Sequence, residues 1–173
     1  KGIDIRIEPF RWNKMASNQV RVVAAAAGEI IHKSDGHDDQ SCALEGGSWN
    51  AVYLEHSDGS RSWYGHLKEG SLTNKNEGDN VVAGEYLGLV GSSGNSTSPH
   101  LHFEVYDSEG DLVDPFSGPC NSMNNDTWWA DQLPYYHSGI NRLITHHSEA
   151  ELQEKATVFT AKRNKKNLLV GRC

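Results

Sequence analysis

The sequence is poor in cysteine, in proline and in long apolar runs. Its 173 residues include 3 cysteines and 5 prolines. No window of about 18 apolar residues occurs, so the sequence predicts no membrane-spanning helix.

Cys42, Cys120 and Cys173 are too far apart for a Cys-x-x-Cys metal knuckle. If the protein is exported, we expect one disulfide, Cys42 with Cys120, because both lie in loops rich in Gly, Ser, Asn or Pro. Three cysteines alone do not fix the connectivity.

Positive charge is also scarce. The chain has 16 Lys and Arg against 23 Asp and Glu, a formal net charge of −7, which argues against wholesale binding of nucleic acid. The one basic cluster lies at residues 162–172, and we interpret it as a solvated tail.

No signal peptide is visible, and the chain opens with the pattern of a strand instead of an initiator Met. We therefore expect the natural chain to begin upstream of Lys1.

Helical periodicity is rare, whereas glycine and large aromatic residues are plentiful. The sequence has 17 Gly, 5 Trp and 6 Tyr, a composition that suits β-sheets. About eight short alternating segments follow one another without βα alternation, which predicts a mainly β protein with an antiparallel sheet or open barrel-like core. We expect this core to span residues 1–118. A short, partly helical extension, residues 119–173, is expected to pack on it.

The most informative segment follows Pro99, which suits the first position of a strand because it lacks a backbone N–H. Residues 100–105 alternate strictly, with His100, His102 and Glu104 on one face and apolar residues on the other. Same-face neighbours on a strand lie roughly 6.5–7 Å apart at the backbone. One imidazole can therefore bind a metal while the other reaches a water molecule bound to that metal. The alternative is that His100 and His102 are simply two polar residues on a solvated face of the sheet, since the same spacing occurs there too.

Two further strands carry polar residues that matter below. Residues 2–7 alternate so that Asp4 faces away from three isoleucines. Residues 49–56 and 61–67 flank Asp58-Gly59, a strong hairpin signal, and His66 closes the second run. We expect the missing side chain of Gly65 to leave space there for a substrate backbone.

The remaining segments up to residue 48 carry weaker patterns. Residues 9–19 are interpreted as a polar loop. Residues 20–28 predict a strand that continues through residues 29–33 after a glycine bend. Residues 34–48 form an acidic, Gly-rich insertion, and we interpret its His37 as part of a solvated loop because the spacing of the acids matches no metal cage.

The C-terminal fifty residues combine aromatic pairs with weak helical signals. Residues 140–144 suggest a short helix, and Ser148-Glu-Ala-Glu151 has the form of a capping box, which predicts a helix from about residue 149 to 156. The aromatic residues of 128–136 are interpreted as a brace on the sheet, with part of a binding wall as the alternative. The adjacent pair His146-His147 is set aside because neighbours on a helix do not face each other.

Several motifs together give the sequence a family resemblance. It resembles the LytM/lysostaphin-type zinc endopeptidases of peptidase family M23, which cut peptide cross-links in bacterial cell walls. The resemblance covers residues 1 to about 116, and its motifs stand in the family order: Gly2-Ile-Asp4, Val23-Ala-Ala-Ala-Ala-Gly28, Tyr64-Gly-His-Leu67, Gly78-Asp-x-Val-x-x-Gly84, Leu87-Gly88, Gly91-Ser-Ser-Gly94 and Ser98-Pro-His-Leu-His-Phe-Glu104.

The resemblance implies a site and a mechanism. It implies that Asp4 and His102 bind Zn²⁺ and that His100 and His66 are catalytic. A third family ligand, a His four residues before Asp4, would precede Lys1, which fits the expectation that the chain begins upstream. The zinc would then activate a water, with His100 as the first choice of base and His66 near the developing oxyanion. Glu104 either orients an imidazole or is a solvated carboxylate.

The implied function is zinc-dependent hydrolysis of peptidoglycan cross-links by a monomer that is secreted or located in the periplasm or cell envelope. The alternative is an inactive homologue that binds cell wall or regulates amidases. A lipoyl-like or sugar-binding β-domain is a weaker rival, because it requires a lysine at a hairpin tip that the sequence does not offer. The sequence does not say which peptide bond is cut.

Overall fold

A computed structural model describes residues 2–118 and 126–132, and the backbone of two short strands at 143–145 and 157–159. The chain divides into two compact units, Lys1–Pro115 and Phe116–Cys173. The predicted mainly β architecture is confirmed: the described part of the chain contains eleven strands and one short helix. That part holds no helix with the length and apolar character needed to cross a membrane.

Seven strands of the first unit form one antiparallel sheet. The strands of this unit, numbered along the chain, are β1 (Ile3–Arg6), β2 (Arg21–Val23), β3 (Gly28–Ser34), β4 (Ala51–Glu55), β5 (Arg61–Gly65), β6 (Asn80–Val81), β7 (Tyr86–Leu89), β8 (His100–Tyr106) and β9 (Leu112–Val113). The order across the main sheet is β1-β8-β5-β4-β3-β6, and β9 also pairs with β8. The strand with the two histidines therefore has a neighbour on each side.

The main sheet has one apolar face and one face that carries the polar residues. On β8, Phe103 and Val105 are buried, as the alternation predicts, while His100 and His102 are partly exposed. The largest fully buried apolar side chains of this unit come from several strands and the loops between them: Ile30, Val52, Leu54, Tyr64, Leu67 and Leu87. Burial of each such side chain contributes roughly 1.5–3 kcal/mol, and together they hold the polar face in place.

The hairpin is confirmed, whereas the predicted loop at residues 9–19 is wrong. β4 and β5 pair from Glu55–Arg61 to Val52–Tyr64, and Gly59 adopts a left-handed φ of 82° in the turn.

Residues Arg11–Ala16 form a helix, α1, with Met15 as its one buried residue. Six residues with a single buried side chain are too few to produce a visible helical period.

The strand predicted to run through residues 20–33 is in fact two strands in different sheets. β2 pairs with β7 in a separate two-stranded sheet, whereas β3 pairs with β4 and β6 in the main sheet. Between them the backbone leaves strand geometry, and the N–H of Ala25 donates to the Tyr64 hydroxyl at 2.8 Å. The hydroxyl of Tyr64 on β5 thus binds the chain just after β2 ends, a contact that no local pattern shows.

Two predictions outside the core also need correction. Cys42 is an exposed free thiol, so it forms no disulfide with Cys120. Its segment is held instead by backbone pairing, because Ser41 donates to the Ser92 carbonyl and Ala43 bridges to Ser96.

In the second unit, Leu143–Thr145 and Thr157–Phe159 pair as antiparallel strands, β10 and β11, so the helix predicted at 140–144 is wrong.

Other predictions for the C-terminal region lie outside the described residues. These are the helix at 149–156, the aromatic segment at 134–136, His146-His147, Cys120 and Cys173, and the basic tail. Within the second unit, the Phe116 and Trp129 rings lie 5.4 Å apart, and the side chain of Gln132 bonds both backbone groups of Ser117.

The insertion of residues 34–48 is fastened to the loop before β8 by a close glycine contact. A Cβ placed on Gly46 would lie 2.0 Å from the Gly94 carbonyl oxygen, whereas a Cβ on the neighbouring Gly47 would meet nothing within 4 Å. The two backbones can approach this closely only because Gly46 has no side chain.

Gly46→Ala is therefore expected to destabilise the protein by about 1–3 kcal/mol, since the new methyl group must push two backbones apart. Gly47→Ala is the matched control and should change the free energy of unfolding by less than about 0.5 kcal/mol. Urea unfolding of both variants measures the difference. Equal stabilities for the two variants would contradict the close contact.

Candidate metal centre

The centre is built first by the pairing of β1 with β8. Antiparallel register places Asp4 directly opposite His102 and Arg6 opposite His100. Residues opposite each other project to the same face, so the Asp4 carboxylate meets both imidazoles. Its Oδ1 lies 2.8 Å from His102 Nδ1 and 3.4 Å from His100 Nε2.

The loop before β8 fixes the orientation of His100. The Nδ1 of His100 lies 2.7 Å from the Ser98 carbonyl oxygen and 3.4 Å from the Ser96 hydroxyl. A carbonyl can only accept, so Nδ1 carries the proton and donates. The other nitrogen, Nε2, therefore presents its lone pair towards Asp4.

His66 is held in the same way from a neighbouring strand. It follows β5 in a left-handed conformation with φ 58°. Its Nδ1 donates to the Ser93 carbonyl at 2.6 Å, which leaves Nε2 unprotonated. The side chain is only 6% exposed. Burial lowers the pKa of His66 to about 4, the bond to Ser93 opposes this shift, and the nearby His100 and His102 lower it further. His66 is therefore neutral at pH 7.

Gly65 does not leave room for a substrate backbone, contrary to the prediction. A Cβ on Gly65 would lie 2.2 Å from the indole of Trp49, so that ring already fills the space. The indole packs edge-on against His66, with centroids 4.9 Å apart, and its Nε1 donates to the Tyr53 hydroxyl at 3.0 Å. Gly65 is required for the packing of Trp49, which lies just before the other strand of the hairpin.

All four residues that the sequence singled out are brought together. One nitrogen each from His66, His100 and His102 can be chosen so that the three lie within 4.8 Å of one another. Among the residues that the structure describes, this is the one cluster of at least three His, Cys, Asp or Glu side chains arranged to hold a metal ion. Asp4 adds a carboxylate in direct contact with two of the three rings.

The electrostatics of the centre favour ionised carboxylates. Partial burial raises the pKa of Asp4, but its hydrogen bond to His102 and the charges of the nearby histidines outweigh burial and lower it. Burial likewise raises the pKa of Glu104, and its bonds to Tyr106 and His102 more than reverse the effect. Two negative carboxylates therefore flank His102, an arrangement that attracts a cation.

The centre opens into a cavity of about 880 Å³ with a second wall that the sequence did not reveal. That wall carries His32 together with Ser34 and His37, the last two from the insertion of residues 34–48, whose His37 was interpreted above as part of a solvated loop. The Ser34 hydroxyl and His37 Nε2 lie 3.0 Å apart. The insertion reaches the cavity through long-range pairing, Gln40 with Ser92 and Ala43 with Ser96, and such pairing leaves no local sequence signal.

Comparison with known proteins agrees with this geometry. The family model for peptidase family M23 matches residues 1–115, the span that carries Asp4, His66 and both histidines of β8. The chain belongs to peptidase family M23. The resemblance found in the sequence motifs is thereby confirmed.

Individual M23 relatives match only in part. The chain is 45% identical over 73 residues to DD-carboxypeptidase/endopeptidase Mpg of Neisseria meningitidis serogroup B, covering 42% of this chain and 16% of that protein. It is 43% identical over 72 residues to glycyl-glycine endopeptidase ALE-1 of Staphylococcus capitis, covering 41% and 19%. The matched segment is thus less than a fifth of either relative. The lysostaphin catalytic domain from Staphylococcus simulans aligns with a TM-score of 0.43 and 34% identity, covering 56% of this chain and 67% of that one.

The burial of His66 predicts how the stability of the metal-free protein depends on pH. Its pKa is about 4 when folded and about 6.5 when unfolded, so the unfolded chain takes up a proton first as pH falls. Stability is therefore lost between about pH 6.5 and pH 4, on the order of 3 kcal/mol from this group.

His66→Asn should remove that loss, because the Asn amide keeps a donor for the Ser93 carbonyl and Asn tolerates a left-handed φ. Urea unfolding at a series of pH values measures the effect. Curves for wild type and His66→Asn that stay parallel between pH 6.5 and 4 would show that burial does not hold His66 neutral.

Proposed function

We propose that this protein is a zinc-dependent endopeptidase that hydrolyses peptide cross-links of bacterial peptidoglycan. The observation that carries the proposal is the convergence of the Asp4 carboxylate and three imidazole nitrogens on one open cavity. Membership of peptidase family M23 supports the reaction class. The same proposal assigns the protein, as a monomer, to the cell envelope or to secretion, because the substrate lies there.

The residues present fit a zinc ion. Imidazole nitrogen and carboxylate oxygen are both zinc ligands. His102 has a carboxylate at each ring nitrogen, with Nε2 2.8 Å from Glu104 Oε1 and Nδ1 2.8 Å from Asp4 Oδ1. A neutral imidazole has one N–H and can satisfy only one of them. The remaining carboxylate suits a cation, and a divalent metal held by Asp4 and His102 would supply that charge.

We assign Asp4 and His102 as zinc ligands, and His100 and His66 as catalytic residues. When bound, zinc supplies Lewis-acid activation of water and of the scissile carbonyl. The Nε2 of His100 is unprotonated and borders the same space, so His100 can accept the proton of the attacking water and return it to the leaving amine. His66, neutral at pH 7, stands beside His100 with ring centroids 4.6 Å apart. It shares this proton transfer and, once protonated, stabilises the oxyanion.

The cavity suits an uncharged peptide. Of the residues described along its lining, Asp4 is the one with a formal charge, and none is a lysine or arginine. An extended peptide can instead bond to the hydroxyl, imidazole and backbone groups of the walls. This supports cleavage inside a cross-link, where no free carboxylate needs a cationic partner.

Zinc content of four single variants of the full-length protein tests the assignment. His102→Ala and Asp4→Ala should lose bound zinc, whereas His100→Ala and His66→Ala should retain it and lose about 10²- to 10⁴-fold in turnover. Elemental analysis after gel filtration measures retention. Full zinc in His102→Ala, or loss of zinc in His100→Ala and His66→Ala alone, would point instead to a different ligand set.

Release of soluble fragments from purified cell wall tests the reaction itself. The wild-type protein should release peptide fragments with new amino termini, a chelator should stop release, and added Zn²⁺ should restore it. A protein that binds cell wall and zinc but releases no fragments would instead be the non-catalytic wall-binding or regulatory module. The His100→Ala variant, which keeps zinc, is the matched control for contaminating hydrolases.

A further inference from the structure

Behind His102, on the side away from Asp4, lies a carboxylate with both oxygens engaged. Glu104 is only 8% exposed. Its Oε1 lies 2.8 Å from His102 Nε2, and the Tyr106 hydroxyl donates to its Oε2 at 2.5 Å. All three residues lie on the same face of β8, at alternating positions of the strand. The roles proposed above leave Glu104 and Tyr106 without a function.

The chemistry of Glu104 fixes the proton on His102. Glu104 accepts from the Tyr106 hydroxyl at Oε2, and its other oxygen lies 2.8 Å from Nε2 as a second acceptor. When a metal ion engages Asp4, Glu104 is the carboxylate left to accept the one N–H of the neutral ring, so Nε2 carries the proton and Nδ1 keeps a lone pair. Nδ1 is the nitrogen that faces Asp4. His102 thus presents the opposite ring nitrogen from His66 and His100, whose Nδ1 atoms donate to carbonyls.

Tyr106 and the rings beside it keep Glu104 from rotating. The Tyr106 ring lies 4.8 Å from Trp63, which stands directly opposite Glu104 in the β5–β8 register. Trp63 is in turn stacked on Tyr53 at 4.1 Å with planes 9° apart. A row of packed rings across three strands therefore holds the hydroxyl that binds Oε2, and the carboxylate keeps Oε1 on His102.

We propose that Glu104, held by Tyr106, is a positioning residue that locks His102 in the Nε2–H tautomer and so aims its Nδ1 at the metal. The inference rests on the proposed function only in taking the ion to be Zn²⁺. Metal-bound histidines commonly donate their second N–H to a carboxylate, and loss of such a partner costs about 10- to 100-fold in metal affinity.

The first experiment measures the affinity of the full chain for Zn²⁺ alone, by competition with a chromophoric chelator. Glu104→Ala should weaken binding about 10- to 100-fold. Tyr106→Phe should weaken it by a smaller factor, and Glu104→Gln should recover part of the loss, because its amide oxygen can still accept from Nε2–H. Glu55→Ala, which removes an exposed carboxylate paired with Arg61, and Tyr86→Phe, which removes a hydroxyl bonded to Ser71, are the controls and should bind like wild type.

The second experiment reads the tautomer directly, from ring ¹⁵N chemical shifts of His102 in metal-free Asp4→Ala protein at about pH 9, where histidines are neutral. This background removes the competing carboxylate at Nδ1 and should show Nε2–H alone. Adding Tyr106→Phe, which keeps the ring and so is expected to fold, should give a mixture of tautomers. A merely structural role for Tyr106 would lower the melting temperature and leave these shifts unchanged.

Two results would overturn the inference: an Nδ1–H tautomer in the Asp4→Ala protein, or a folded Tyr106→Phe variant with unchanged tautomer and zinc affinity. Both measurements are independent of turnover. A protein that binds zinc with the expected tautomer but releases nothing from cell wall would refute the proposed function and leave the role of Glu104 standing.

Discussion

The antiparallel register between β1 and β8 is the constraint on which the centre depends. It sets Asp4 opposite His102, although 98 residues separate them in the chain. The polar side chains follow from this register, because a shift of one residue would turn every side chain of β1 to the other face of the sheet. Ile3 and Ile5 lie opposite Phe103 and Leu101. Pairing of β1 with β8 in this register therefore places the metal centre on the polar face.

The loop of residues 91–98 is the second element that the centre needs, and it acts through backbone carbonyls. Ser93 and Ser98 hold the Nδ1 protons of His66 and His100, and the buried Ser92 and Ser96 hydroxyls bond each other. Small residues permit this, because the loop must pass both the imidazoles and the insertion of residues 34–48. Main-chain carbonyls thus fix the N–H positions of His66 and His100. On His102 we infer that a side chain, Glu104, has this role.

Much of this arrangement could be predicted from local patterns, and the failures share one cause. The alternation of residues 100–105, the Asp58-Gly59 turn and the strand around Asp4 are short-range signals that the structure bears out. The space beside Gly65, the end of β2 and the approach of His37 to the cavity depend on partners far along the chain: Trp49, Tyr64 and the residues 92–96. Sequence periodicity shows which face a residue points to, but it does not show what has already filled the space there.

The position of Trp49 has an optical consequence. Its indole lies edge-on to His66 and 5.7 Å between centroids from His102, so its excited state is sensitive to charge on either imidazole. With the other four tryptophans of the chain replaced, the fluorescence of Trp49 would report on the centre in solution without any label. The same ring that closes the space beside Gly65 serves as an intrinsic reporter of the chemistry next to it.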